Sequence, residues 1–113
     1  MSELEQLKKK ILQFRDERNW QQFHNPKDLA LSLSLEASEL LELFQWKSSE
    51  EAVEKNLDKM KDELADILIY SILFANELKF DLEEIIVDKL KKNNEKYPVE
   101  LSKNNKQKYS ELL

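Results

Sequence analysis

Glycine is absent from this 113-residue chain, and so is cysteine. Without glycine there is no phosphate-cradling loop of backbone amides and no dinucleotide fingerprint, so any phosphate must meet side chains or a metal ion. Without cysteine there are no disulfides and no thiolate chemistry. Two prolines and a single histidine, His24, complete the short supply. Turn and strand punctuation is almost gone, which points to an all-α protein. No apolar run reaches membrane-spanning length and no basic-then-apolar leader opens the chain, so no membrane partner and a cytoplasmic location are expected. The net charge of −5 argues against binding nucleic-acid polymers, because that affinity rests on neutralising phosphates. A small anion remains possible where a cation mediates.

What is present is charge, at 36% of residues, on apolar periodicity. The length suits one domain with a modest core. Ser2 with Glu5 forms a capping box, and Leu4, Leu7, Ile11 and Phe14 follow as an apolar stripe. Helix 1 is therefore expected over about 3–18, with its charged face in solvent. Asn25-Pro26 reads as a cap followed by proline in the first turn, opening a second helix that runs to about residue 45. Its leucines, alanines and serines leave it apolar all round, the profile of a central helix packed on several sides. After a polar turn near 47–51, helical propensity continues to residue 78, but a break is expected. Glu63 sits level with Glu39 across an antiparallel pair only if the third helix starts near residue 57, so a short piece at 49–55 should precede a helix at 57–79. Asp81 with Glu84 caps a fourth helix that ends before Tyr97-Pro98. Residues 99–113 read as extended or loosely ordered.

The anomaly lies in LEASELLELFQW, where Glu36, Glu39 and Glu42 recur every third residue in an apolar segment. DELADILIY repeats it with Glu63 and Asp66. Carboxylates on an apolar face cost several kcal/mol unless a positive group meets them. If Glu36, Glu39, Glu63 and Asp66 converge at roughly 6–7 Å, each like pair costs about 2.5 kcal/mol at an effective dielectric near 20, and six such pairs rival the stability of a small domain. Protonation or a divalent cation relieves this. The donors are all oxygen and the Glu-x-x-His ligands of di-iron bundles are absent, which favours Mg²⁺, or Mn²⁺, shared with substrate phosphates. Glu42 drifts about 120° from Glu36 around the helix and reads as a solvated bystander. The bland alternative is a non-catalytic helical interaction module with solvated or lysine-paired acidic faces. Trp20, Phe23, His24 and Trp46 flank the acids in sequence. Such rings are commonly core, but beside a phosphate site they can stack a base. Lys89, Lys91, Lys92 and Lys96 read as a solvated face of the fourth helix, with Lys89 able to turn inward.

Taken together, FRDERNWQQFHNPKDLALSLSLEASELLELFQWK, DELADILIY, NEKYP and KYSEL resemble the all-α nucleoside triphosphate pyrophosphohydrolases of the MazG-like superfamily, most of all its dCTP pyrophosphatase branch. The resemblance implies a four-helix bundle assembled into a homo-oligomer, a tetramer in relatives. It also implies hydrolysis of a nucleoside triphosphate, dCTP or a related or modified pyrimidine deoxynucleotide, to the monophosphate and pyrophosphate in a house-cleaning role. It places Mg²⁺ on Glu36, Glu39, Glu63 and Asp66, with Glu36 or Glu39 as proton acceptor. Trp20, His24, Trp46 and Tyr70 fall at nucleoside positions, Lys89 and Asn93 near the phosphates, and Lys108 and Tyr109 in a segment that closes over the site. The implied organisation is a catalytic domain over 1–98 and a closing tail over 99–113. Where relatives carry basic residues, this chain has Glu77, Asn94 and Glu95.

Overall fold

A computed structural model describes residues 1–103. Five α-helices follow in order: α1 Glu3–Glu17, α2 Pro26–Glu42, α3 Ser49–Glu77, α4 Leu82–Lys96 and the short α5 Val99–Ser102, with a 3-10 turn at Trp20–Phe23 between the first two. Among the described residues there is no strand. The chain divides into two compact units, Met1–Lys79 and the part from Phe80 onward.

The helix starts are set by side-chain caps. Ser2, Asn25, Ser48 and Asp81 each accept from the backbone N–H three residues on, satisfying a donor the helix itself leaves unpaired. Asn25 also donates from Nδ2 to Asp28 at 2.7 Å, which fixes the cap geometry before Pro26. The ends face a harder problem, since a chain without glycine must put other residues into the left-handed region. Asn19, Trp46 and Lys79 take it, with φ of 53°, 62° and 59°. Asparagine tolerates this conformation; for the two others it costs about 1–2 kcal/mol.

Within the first unit α2 and α3 form the main pair. The face of α2 turned inward runs Leu29, Ser32, Leu33, Glu36, Leu40 and Leu43, at a helical repeat that passes through Glu36. Among the described residues, Leu29, Ala52, Ile72, Leu73 and Ala75 are the buried apolar ones. The opposite face of α2 differs from the expectation of a helix covered on several sides: Leu31, Leu35 and Leu41 are exposed. Those positions lie more than about 90° from Glu36 around the axis, so α3 cannot cover them.

The expected break in the third helix is there in altered form. The segment is continuous from Ser49 to Glu77, but Asn56 leaves helical geometry at φ −122°, ψ 22° and kinks it. Asn56 Nδ2 donates to the carbonyl of Leu43 at 3.1 Å, tying the kink to the end of α2. This link sets the level of everything C-terminal on α3, Glu63 included. Asn56→Ala should lower stability by about 1–2 kcal/mol, since it leaves a half-buried carbonyl unpaired; a urea melt with an unchanged midpoint would refute that role.

Two further expectations are corrected. The half-buried stripe of α1 is Leu4, Lys8, Ile11, Leu12 and Arg15, whereas Leu7 and Phe14 are exposed. The helix is turned by roughly 60° from the Leu4-Leu7-Ile11-Phe14 seam, because a 3.6-residue repeat brings positions 8 and 15 in line with 4 and 11. Residues 99–102 are helical rather than extended, following Pro98, whose carbonyl accepts from Leu101 and Ser102.

Candidate active site

α2 and α3 bring Glu36, Glu39 and Glu63 together, each offering one carboxylate oxygen within 4.8 Å of the others. Glu36 and Glu63 are half-buried and Glu39 is exposed. Glu36 Oε2 and Glu63 Oε2 are shielded from solvent and, among the described residues, have no hydrogen-bond partner. Ionised, these oxygens are acceptors only and cannot satisfy one another. The strain is visible in their acidity. Burial pushes the Glu36 carboxyl up to about 7, helped by the nearness of the Glu63 and Glu39 carboxyls, to which only its protonated form can donate, and by the charges of Glu39 and Asp66. For Glu63, hydrogen bonding from Glu36 acts downward, but burial, Glu39 and the Asp66 charge prevail and raise it. Asp66 is half-buried one helical turn beyond Glu63. It stands outside the three-carboxylate group and bears on it through its charge.

Such a group fits a hard divalent cation. Its donors are carboxylate oxygens, two of them lack any other partner, and an ion would remove the repulsion that holds a proton on Glu36. A cluster of exposed acids would show neither the shielded oxygens nor the raised pKa values.

Beside the acids lies a cavity of about 410 Å³. α3 lines it with Asp66, Ile69, Tyr70 and Leu73, α1 with Lys10, Ile11, Phe14 and Arg15, and the 3-10 turn with Trp20 and, just after it, His24. The aromatic wall is braced. Phe14 and Trp20 meet edge to face with centroids 5.7 Å apart, and the Arg18 guanidinium lies 3.7 Å from the Phe14 centroid while donating to the Phe14 carbonyl. His24 Nδ1 is shielded and has no partner among the described residues. Burial and then the Arg15 charge lower the pKa of this imidazole, against a smaller opposing pull from Glu77, so it is neutral at pH 7.

The MazG-like family matches residues 31–112, more than half of the chain. This chain belongs to the MazG-like family. It is 39% identical to dCTP pyrophosphatase 1 of mouse over 114 aligned residues, covering 96% of this chain and 67% of the mouse protein. The human dCTP pyrophosphatase 1 is 36% identical over the same span. Among solved structures, a pyrophosphatase from Archaeoglobus fulgidus superposes with a TM-score of 0.82 at 38% identity, over 87% of this chain and 94% of that one.

The other candidate residues of this MazG-like chain are distributed unevenly. Trp20, His24 and Tyr70 line the cavity together with Asp66. Trp46 does not; it is 93% exposed at the turn after α2, which excludes a core or staple role for its ring. Glu42 is exposed, in keeping with a bystander. Lys89 and Asn93 both belong to α4 in the second unit, and Lys108 and Tyr109 lie outside the described residues. What the sequence did not disclose is the contribution of α1. Lys10, Ile11 and Arg15 belong to a helix whose charged face was expected in water. The available signal was Arg15 itself, four residues after Ile11 and therefore on the same face.

Proposed function

We propose that this MazG-like protein hydrolyses a nucleoside triphosphate to the monophosphate and pyrophosphate, with a Mg²⁺ ion, or Mn²⁺, on Glu36, Glu39, Glu63 and Asp66. That it is a nucleotide pyrophosphatase by class rests on its kinship with the mammalian dCTP pyrophosphatases and the archaeal pyrophosphatase. The same kinship favours dCTP, or a related or modified pyrimidine deoxynucleotide, in a house-cleaning role. The observation that carries the reading is the convergence of three carboxylates within 4.8 Å, two of them holding shielded oxygens with no donor.

When bound, the ion supplies neutralisation of triphosphate charge and orientation of a water for in-line attack at the α-phosphorus. The chain's own residues divide the remaining work. A carboxylate oxygen of Glu39 or Glu36 accepts the proton of the attacking water. Trp20 and Tyr70 offer ring faces to the base, and His24, neutral, offers a hydrogen-bonding nitrogen rather than a charge. Family resemblance assigns the phosphates to Lys89 and Asn93 and site closure to Lys108 and Tyr109, which lie outside the described residues, with a catalytic domain over 1–98 and a tail after it.

The proposal includes a homo-oligomer, a tetramer by family resemblance. Trp46 is held outward in a left-handed backbone conformation that a bulky side chain adopts only at a cost, and Leu31, Leu35 and Leu41 present an uncovered apolar face on α2. A second copy gives both features something to meet. A non-catalytic interaction module is the weaker reading, because its acids would be solvated or paired, whereas Glu36 Oε2 and Glu63 Oε2 are neither.

The test is a panel of nucleoside triphosphates with Mg²⁺, reading pyrophosphate against orthophosphate. Pyrophosphate release, with dCTP among the best substrates, is expected. Orthophosphate release would refute attack at the α-phosphorus, and no release at all would refute the enzyme.

A further inference from the structure

We propose that Arg15 is a specificity-determining residue that reads the base at the far end of the cavity, donating from its guanidinium to the O2 and N3 acceptors of cytosine. The inference rests on the pyrophosphohydrolase reading and names what that reading leaves open, the group that selects the base.

Three observations carry it. Arg15 lines the cavity, and its side chain is only 14% exposed. It is also held in place: Nε and Nη2 both contact Oδ1 of the exposed Asp16 at 2.8 Å. One edge of the fork is thereby occupied, while the Nη1–Nη2 edge retains a pair of donors in one plane.

The second observation is position. Asp66 marks the end of the cavity beside the carboxylates, since its charge bears on Glu36 and Glu63. Arg15 and His24 both line the cavity, and the ionisation of His24 responds to Arg15 and Glu77 rather than to the carboxylates at Glu36, Glu63 and Asp66. Glu77 lies eleven residues after Asp66 on α3, about 16 Å along the axis. A nucleotide with its phosphates at the acids therefore brings its base, not its phosphates, to Arg15.

The third is chemistry. A planar pair of donors matches an edge with two adjacent acceptors, which cytosine presents at O2 and N3. Uracil and thymine present an N–H at position 3, so the same fork would set donor against donor. The unpartnered His24 Nδ1 beside it extends the match, because a neutral imidazole nitrogen can accept from the exocyclic amine of cytosine. Sites built to hydrogen-bond a group discriminate far better than apolar pockets, and one bidentate arginine contact typically gives roughly 5- to 150-fold between bases.

The test measures binding of dCMP and dUMP to the intact chain by calorimetry with a chelator present, so that neither metal nor turnover enters. The unmodified protein should bind dCMP at least about tenfold more tightly than dUMP. Arg15→Met should remove most of that difference by weakening dCMP alone, and Arg15→Lys, which keeps the charge but not the fork, should restore little of it. Circular dichroism melts confirm that each variant is folded, and Arg15→Gln substitutes for one that is not. Equal weakening of both nucleotides by Arg15→Met, as for a cation that holds the phosphate, overturns the proposal, as does unchanged discrimination or none to begin with. Base discrimination without any pyrophosphate release would instead count against the enzymatic reading and leave the role of Arg15 standing.

Discussion

Glu39→Gln should leave the protein folded and lower the turnover number for pyrophosphate release by roughly 10²–10³-fold or more. The side chain is exposed, so the substitution creates no cavity and buries nothing unpaired. It does remove a charge that raises the pKa of both Glu36 and Glu63. Folding stability without metal should therefore hold or rise, by on the order of 1 kcal/mol after allowance for solvent screening. Loss of catalysis with retained or increased stability distinguishes a functional carboxylate from a structural one. Asp66→Asn should behave alike, with its larger effect on the metal requirement. The measurements are single-turnover pyrophosphate release at saturating Mg²⁺ and thermal melts under a chelator. Full activity in Glu39→Gln would remove Glu39 from the site, and a melt lowered by many degrees would make its role structural.

The acids could be found in the sequence because their placement is costly. Glu36 occupies a position on α2 that its neighbours Leu29, Leu33, Leu40 and Leu43 mark as inward, and nothing but function or accident puts a carboxylate there. The kink at Asn56 was legible by the same kind of reasoning. Glu39 and Glu63 could be level only if the third helix was interrupted before residue 57, and the side chain of Asn56 supplies the interruption by leaving its own helix for the Leu43 carbonyl. The caps at Ser2, Asn25 and Asp81 were legible because they act within three residues. Arg15 was not, since the heptad seam pointed to Phe14 and a charged residue on a helix is ordinarily placed in water. Only the rotation of α1 against α3, a tertiary fact, turns it inward. The face of α2 with Leu31 and Leu35 was misread for a related reason: apolarity says that a surface will be covered, but not by which chain.

Stability without metal should fall as pH rises from about 5.5 to 8, and Mg²⁺ should restore it increasingly over the same range. The sign follows from Glu36, whose folded-state pKa of about 7 lies above the roughly 4.3 of an unfolded glutamate. Between those values the folded protein keeps a proton that the unfolded chain has released. Folding therefore takes up protons, and raising the pH works against it. Glu63, also raised, acts in the same direction. His24 opposes them at the acid end: its lowered pKa makes folding release a proton below about 6.5, so that contribution is lost as pH falls. The opposition is confined to the lower part of the range, and the carboxylates should dominate above it. After discounting for screening, the expected loss is on the order of 1–2 kcal/mol, or several degrees in the melting temperature of a chain this size. A divalent ion selects the ionised carboxylates, so binding releases the proton from Glu36 and its stabilising effect grows as that proton becomes easier to lose. Melting curves at half-unit pH steps, with chelator and with Mg²⁺, give both slopes. In Glu36→Gln the metal-free slope should shrink and the Mg²⁺ gain should largely disappear. A metal-free melting temperature that rises through this range, or a Mg²⁺ effect that Glu36→Gln leaves intact, would mean that the carboxylate group neither stores this repulsion nor holds the ion.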